Sequence, residues 1–149
     1  MVRMFLTGDG MRGGRLHRHI EGAEFLSERR TLPRYRFYSI RDEFPALRPV
    51  GEGGCAIPGE LYEVPMAQLH GLLAREPPEL ELSIVELAAG DSAGSSPAPD
   101  GAAPGEAGAG ELSFGMILRR GADTPGRHAD ISDRGGWRAY RGLPQPPAV

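Results

Sequence analysis

The chain has 149 residues, 40% hydrophobic and 25% charged, a balance that fits one soluble globular domain and excludes a wholly disordered chain. Its net charge is −3 and all 17 basic residues are arginine, which argues against a general nucleic-acid footprint and excludes lysine Schiff-base chemistry. The single cysteine, Cys55, excludes an intrachain disulfide and suits a reducing cytoplasm, and no apolar run is long enough for a membrane span or a secretory signal.

In chain order, residues 2–7 (VRMFLT) read as a first strand, with a turn signal at once after it. The loop 8–14 carries four glycines and one carboxylate, Asp9. Residues 15–21 predict a short helix with Leu16 and Ile20 one turn apart, stopped by Gly22. Residues 23–40 predict two extended pieces bent at Pro33. Residues 44–54 predict a strand closing in a turn, and 56–64 another strand whose mixed phase predicts a bulge near Gly59.

The clearest helix is 65–76, with Pro65 in its first turn, an apolar stripe of Met66, Leu69, Leu72 and Leu73, and a stop at Pro77 and Pro78. Residues 79–87 alternate, placing Leu80, Leu82 and Ile84 on one face and Glu79, Glu81 and Ser83 on the other. Residues 88–110 contain no Leu, Ile, Val or aromatic residue, so they predict a disordered insert within the domain. A strand at 111–118 follows, then GGWRAY at 135–140, and 144–149 reads as a flexible tail. The whole is one α+β domain over 1–143, a curved mixed or antiparallel sheet with two helices against it.

The glycine loop has two readings that the residues alone leave open. It is a flexible turn, or it is the floor of a small-molecule site whose free N–H groups hold an anion such as a carboxylate. The spacing of 8–13 formally meets GxGxxG, yet no βαβ unit follows, so a dinucleotide site is not indicated. Asp9 is an acid/base group, a contact for a substrate amine, or an Asx-turn residue, the last being the commonest role. Glu76 ends the 65–76 helix, where the negative end of the helix dipole would raise its pKa and suit it to proton transfer; a solvated glutamate is the commoner alternative. The cluster Arg29, Arg30, Arg34 and Arg36 reads as a solvated strand face before an anion-binding rim. His17 and His19 do not share a helix face and Cys55 has no ligand spacing near it, so no metal site is expected. Trp137 and Tyr140 read as core anchors.

The stretches FLTGDGMRGG, LPRYRFYSI, GCAIPGELYEVP and the helix to Glu76 together resemble the gamma-glutamylcyclotransferase-like family. Within it, LPRYRFYSI, AIPGELYEV, ELELSIVEL and GGWRAY are most similar to the C-terminal domain of allophanate hydrolase. The resemblance spans nearly all of residues 3–87 and 111–140 and rests on the order and spacing of its motifs. It implies a small mixed β-barrel with flanking helices. It implies a cavity in which the loop after the first strand holds a substrate carboxylate and Glu76 moves protons. In the cyclotransferases, the free α-amine attacks a γ-amide and leaves 5-oxoproline; the allophanate-type likeness implies carbamate or urea-nitrogen chemistry instead.

Two positions depart from these patterns: Thr7 stands where the cyclotransferases have tyrosine, and Gly10 where the allophanate-type domains have histidine. The expected contacts are Glu76 and Asp9 as catalytic groups and Thr7, Gly8, Asp9, Gly10, Met11 and Tyr35 as substrate-binding residues. The expected partner is a small carboxylate or amide, with no cofactor, nucleic acid or membrane. Self-association as a homodimer is left open. So is a binding or assembly module that keeps the barrel without the chemistry.

Overall fold

The computed structural model describes residues 1–89, 110–122 and 128–143. Their strands are β1 (Val2–Leu6), β2 (Glu24–Arg30), β3 (Tyr35–Ile40), β4 (Phe44–Pro49), β5 (Pro58–Val64), β6 (Leu80–Leu87), β7 (Glu111–Leu118) and β8 (His128–Asp130). Helix α1 (Met66–Ala74) joins β5 to β6, and a short helix α2 (Trp137–Arg141) follows β8. The strands form one mixed sheet in the order β2-β5-β1-β7-β4-β3-β8, with β6 along the remaining edge of β7. The predicted insert at 88–110, apart from residues 88, 89 and 110, and the predicted tail at 144–149 lie outside the described residues.

Strand β7 organises the sheet. One edge pairs antiparallel with β6 from Leu80↔Leu118 to Leu87↔Glu111. The other pairs parallel with β1 at Phe114 and Gly115 and then with β4 at Ile117. The far side of β2 returns to β6 through the Thr31–Leu87 bridge, where Leu32 N–H donates to Glu86 O at 3.0 Å and Ala88 N–H to Arg30 O at 2.8 Å. Strands β6, β7, β1, β5 and β2 therefore curl into a small barrel, and β4, β3 and β8 extend from it. This is the gamma-glutamylcyclotransferase-like α+β architecture expected from the sequence.

Close packing explains particular residues. A Cβ on Gly59 would lie 2.6 Å from the Phe5 ring and closer still to the Leu6 carbonyl oxygen, so only glycine lets β5 approach β1 here. The bulge expected near Gly59 lies instead in the partner strand β2, where the register shifts between Phe25 and Ser27. The glycine serves close approach rather than an extra residue. The core gathers Met4, Phe5, Phe37, Leu47, Leu61, Tyr62, Val85, Leu87 and Trp137 with Ile20, Leu69 and Leu72 from the helical segments.

Three further expectations change. The helix at 15–21 is only a 3-10 turn over His17–Ile20. A stretch between Gly14 and Gly22 without a side-chain cap is too short to repay an α-helical nucleus. In α1 only Leu69 and Leu72 of the apolar stripe are buried, and Met66 is exposed. In β6 the apolar face Leu82–Ile84 points outward, while Val85 fills the barrel beside Gly115. There the barrel takes the opposite phase because the bare glycine on β7 leaves room for the valine. We expect Gly59→Ala to destabilise the fold by about 1–3 kcal/mol through overpacking, measured by urea unfolding.

Candidate functional site

The loop after β1 is fixed by its own backbone and by two carboxylates. Met11 N–H donates to Gly8 O at 3.1 Å, Gly14 N–H to Met11 O at 2.9 Å and Leu16 N–H to Asp9 O at 3.0 Å. A Cβ on Gly8 would lie 2.9 Å from the ring of Pro45 in β4, so the loop needs glycine where it passes under that strand. Among the described residues the N–H groups of Gly8, Asp9 and Gly10 find no protein acceptor. Such groups are available to an anion.

The Asp9 carboxylate accepts the Trp137 indole N–H at 2.9 Å and Arg15 Nε–H at 3.0 Å. Both of its oxygens thus engage protein donors. Met11 is buried in the core, and Thr7 is half-buried at the end of β1. Tyr35 is buried too; its hydroxyl accepts Glu86 N–H at 3.0 Å, tying β3 to β6, and burial pushes that hydroxyl's pKa up.

Sequence reasoning missed two groups at this loop. The first is Glu60 on β5, whose residue is fully buried. Its carboxylate accepts Arg12 N–H at 2.9 Å, Arg12 Nε–H at 3.1 Å, the Tyr62 hydroxyl at 2.7 Å and Arg138 Nη2–H at 3.0 Å. Burial alone would raise its pKa, but the Arg12 N–H, the Tyr62 hydroxyl and the two guanidinium groups outweigh burial and hold it below the usual carboxylate range. Burial and the Glu60 contact push the Tyr62 hydroxyl up. The available signal was the pair Glu60 and Tyr62, two apart on one face of a strand. The second group is His17, whose Nδ1–H donates to Gly10 O at 2.9 Å in the tautomer a carbonyl acceptor requires. An imidazole therefore stands against the loop although Gly10 itself is not histidine.

Glu76 lies just past α1, in the turn that leads into β6. Arg119 holds that turn through Nε–H to Pro78 O at 3.0 Å and backbone N–H to Glu79 O at 2.7 Å, and Arg41 reaches the Glu79 carboxylate at 2.7 Å. Among the described residues no donor reaches the Glu76 carboxyl, and burial pushes its pKa up to about 7. The cause is desolvation rather than the helix dipole that the sequence suggested.

The register sets the loop and this turn at the same end of β7. Strand β1 runs parallel to β7 toward it, β6 begins opposite Leu118, and β5 begins beside Leu6. It is also the end where β1 and β4 take over from one another along β7. Among the described residues no three His, Cys, Asp or Glu side chains converge as a metal site, and no helix is long and apolar enough to cross a membrane.

The sequence profile of the allophanate hydrolase C-terminal domain matches residues 2–100. The chain belongs to the allophanate hydrolase C-terminal domain family. A uropathogenic E. coli-specific protein of known structure is 27% identical, with a TM-score of 0.74 and 95% of each chain covered. Kluyveromyces lactis allophanate hydrolase is 26% identical with a TM-score of 0.74, over 95% of this chain but only 21% of that one. An AIG2-like protein from Mus musculus shares the fold at 21% identity and a TM-score of 0.61, over 99% of this chain and 97% of that one. No curated protein sequence matches the chain significantly.

Two carboxylates of this allophanate hydrolase C-terminal domain relative titrate in opposite senses. Glu60 is held below its unfolded value near 4.5, so its stabilisation is present above that value and is lost as pH falls through the folded one. Glu60→Gln should destabilise the protein by about 3 kcal/mol at pH 7, because two guanidinium groups lose their counter-charge; denaturant midpoints check this. Glu76 keeps its proton in the folded state to about pH 7 but would release it near 4.5 when unfolded. Its contribution therefore lowers stability as pH rises between those values. Glu76→Gln should remove that slope and stabilise the protein at pH 8 by about 2–3 kcal/mol, read from melts across pH 5–8.

Proposed function

We propose that the chain is a small-molecule enzyme in which Glu76 carries a proton while the loop after β1 binds the carboxylate of an amide or carbamate substrate. One observation carries the reading: a carboxyl group in a turn fixed by Arg119 and Arg41, with a pKa of about 7 and no protein partner among the described residues. Such a group accepts and returns a proton at neutral pH. The N–H groups of Gly8, Asp9 and Gly10 supply the donors for a carboxylate or a developing oxyanion. In this reading Asp9, with both oxygens engaged, positions the loop, and the Glu60 cluster anchors it.

Two reactions fit these parts. In one, the free amine of a γ-glutamyl-amine attacks its own amide carbonyl. Glu76 takes the proton from that amine and returns it to the departing amine as the C–N bond breaks, leaving 5-oxoproline. In the other, a carboxylated carbamate breaks down to carbon dioxide and ammonia, and Glu76 supplies the proton to nitrogen as its bond to carbon breaks. Membership of the allophanate hydrolase C-terminal domain family favours the second. The His17 imidazole, in contact with Gly10 O, stands at the same loop.

The test offers both substrates to the purified chain and follows 5-oxoproline, ammonia and carbon dioxide. We expect Glu76→Gln to lower turnover by about 10²–10⁴-fold and to remove the pH-rate limb near 7. Undiminished turnover in that variant excludes Glu76 from the mechanism. Absence of turnover together with no thermal stabilisation by small carboxylates would leave the binding-module reading, which the full engagement of Asp9 favours.

A further inference from the structure

Two guanidinium groups, those of Arg29 and Arg138, keep an Nε–H that is shielded from water and meets no acceptor among the described residues. A buried donor left without a partner is rare enough to call for an explanation. For Arg29 the fold supplies one. Its Nη1–H donates to Glu111 and its Nη2–H to Ala88 O, each at 2.7 Å, so the group is spent on fastening β2 to β7 and to the residue after β6. Arg138 differs. Only its Nη2 is engaged, by Glu60 at 3.0 Å and Arg12 O at 2.7 Å. Among the described residues no acceptor reaches its Nη1 or Nε, although its side chain is only 13% exposed.

The charges around Arg138 are uneven as well. Its one carboxylate partner is Glu60, and Glu60 is shared with Arg12. Arg12 has a second carboxylate in Glu28, which is mostly exposed and reaches it at 3.3 Å. Asp9, the other carboxylate at the loop, has its own cation in Arg15. Two largely enclosed guanidinium groups thus divide one enclosed carboxylate, and Arg138 is the member without a carboxylate of its own. Helix α2 sets where this charge stands. Trp137 donates to Asp9 and Arg138 donates to Arg12 O, so consecutive residues of α2 hold both ends of the segment 9–12. The unpartnered N–H groups of Gly8, Asp9 and Gly10 belong to the same loop. A guanidinium with open donors at the flank of neutral donors gives a carboxylate a charge-assisted hydrogen bond. A carboxamide carries no charge and turns an NH₂ group of its own toward these donors, so some are left unpaired.

We propose that Arg138 is the specificity-determining residue of the site: its open guanidinium edge takes the substrate carboxylate together with the loop N–H groups and selects anionic substrates over their neutral amides. This rests on the reading that the loop after β1 binds a carboxylate, and it adds a charged donor supplied by α2.

Two probes that differ only in that group test it: N-acetylglycine and its neutral carboxamide, N-acetylglycinamide. Nitrogen-15 NMR of the full chain follows the Gly8, Asp9 and Gly10 amides and the Arg138 Nε–H, the last assigned through its own side-chain correlations. N-acetylglycine should shift all four groups with a single Kd, and the carboxamide should bind at least about tenfold more weakly. Arg138→Lys keeps a cation beside Glu60 but lacks the Nε–H, and should weaken N-acetylglycine about fivefold or more. Arg138→Gln, without the charge, should abolish the preference. In turnover assays the Arg138→Lys loss should fall on KM, whereas the Glu76→Gln loss falls on kcat. Loop amides that shift while the Arg138 Nε–H does not, or a preference that survives Arg138→Gln, overturn the proposal and leave the loop reading standing. Loop amides unmoved by either probe reject the loop reading and this proposal with it. Should the variants unfold, the Nε–H response of the unaltered chain decides.

Discussion

A single buried carboxylate holds the working end of the barrel together. Glu60 has no exposure, and a lone charge there would be expelled or neutralised. It stays ionised because three segments far apart in sequence each bring it a donor: the loop after β1 through Arg12, its own strand through Tyr62, and α2 through Arg138. Arg138 also donates to the Arg12 carbonyl at 2.7 Å, and the Arg12 guanidinium lies 3.9 Å over the Phe25 ring. Trp137 on the same short helix reaches Asp9. The glycine-rich loop gains little rigidity from its own composition. Its shape is imposed by a charge network rooted in β5 and by a helix more than a hundred residues downstream.

Glu76 is the electrostatic counterpart. It is partly withdrawn from water, but among the described residues nothing compensates it, and its neutral form is favoured. Two glutamates in one small barrel are thus driven apart by environment alone, one by donors and one by their absence. That separation is the pattern by which a protein assigns different protonation roles to the same side chain. The uncompensated member carries a standing stability cost.

The sequence was most legible where local physics decides. The strand and turn signals, the α1 stripe at Leu69 and Leu72, and the stop at Pro77 and Pro78 all correspond to observed elements. The order of motifs was enough to name the family, because spacing between motifs encodes topology. What was not legible depended on partners distant in sequence. The phase of β6 is set by Gly115 on β7, the role of Gly59 by Phe5, and the clustering of Glu60 with Arg138 by a contact across 78 positions. The cause of the Glu76 shift was misread for the same reason: a helix end is visible in sequence, whereas dehydration belongs to the assembled chain.

The three-way pairing of β7 bears on the order in which the chain assembles. Its parallel contacts join Phe114 to Met4 and Ile117 to Leu47, so they close segments of roughly 110 and 70 residues. The hairpin of β3 with β4 and the pairing of β2 with β5 need far shorter closures, and the pairing of β1 with β5 one of intermediate length. Strand β7 is therefore the keystone that makes the longest closures, and until it seats, β1 and β4 stand with unsatisfied edges. A topology of this kind matures slowly, on milliseconds to seconds rather than microseconds, and its period of greatest vulnerability to aggregation is the interval before that keystone seats.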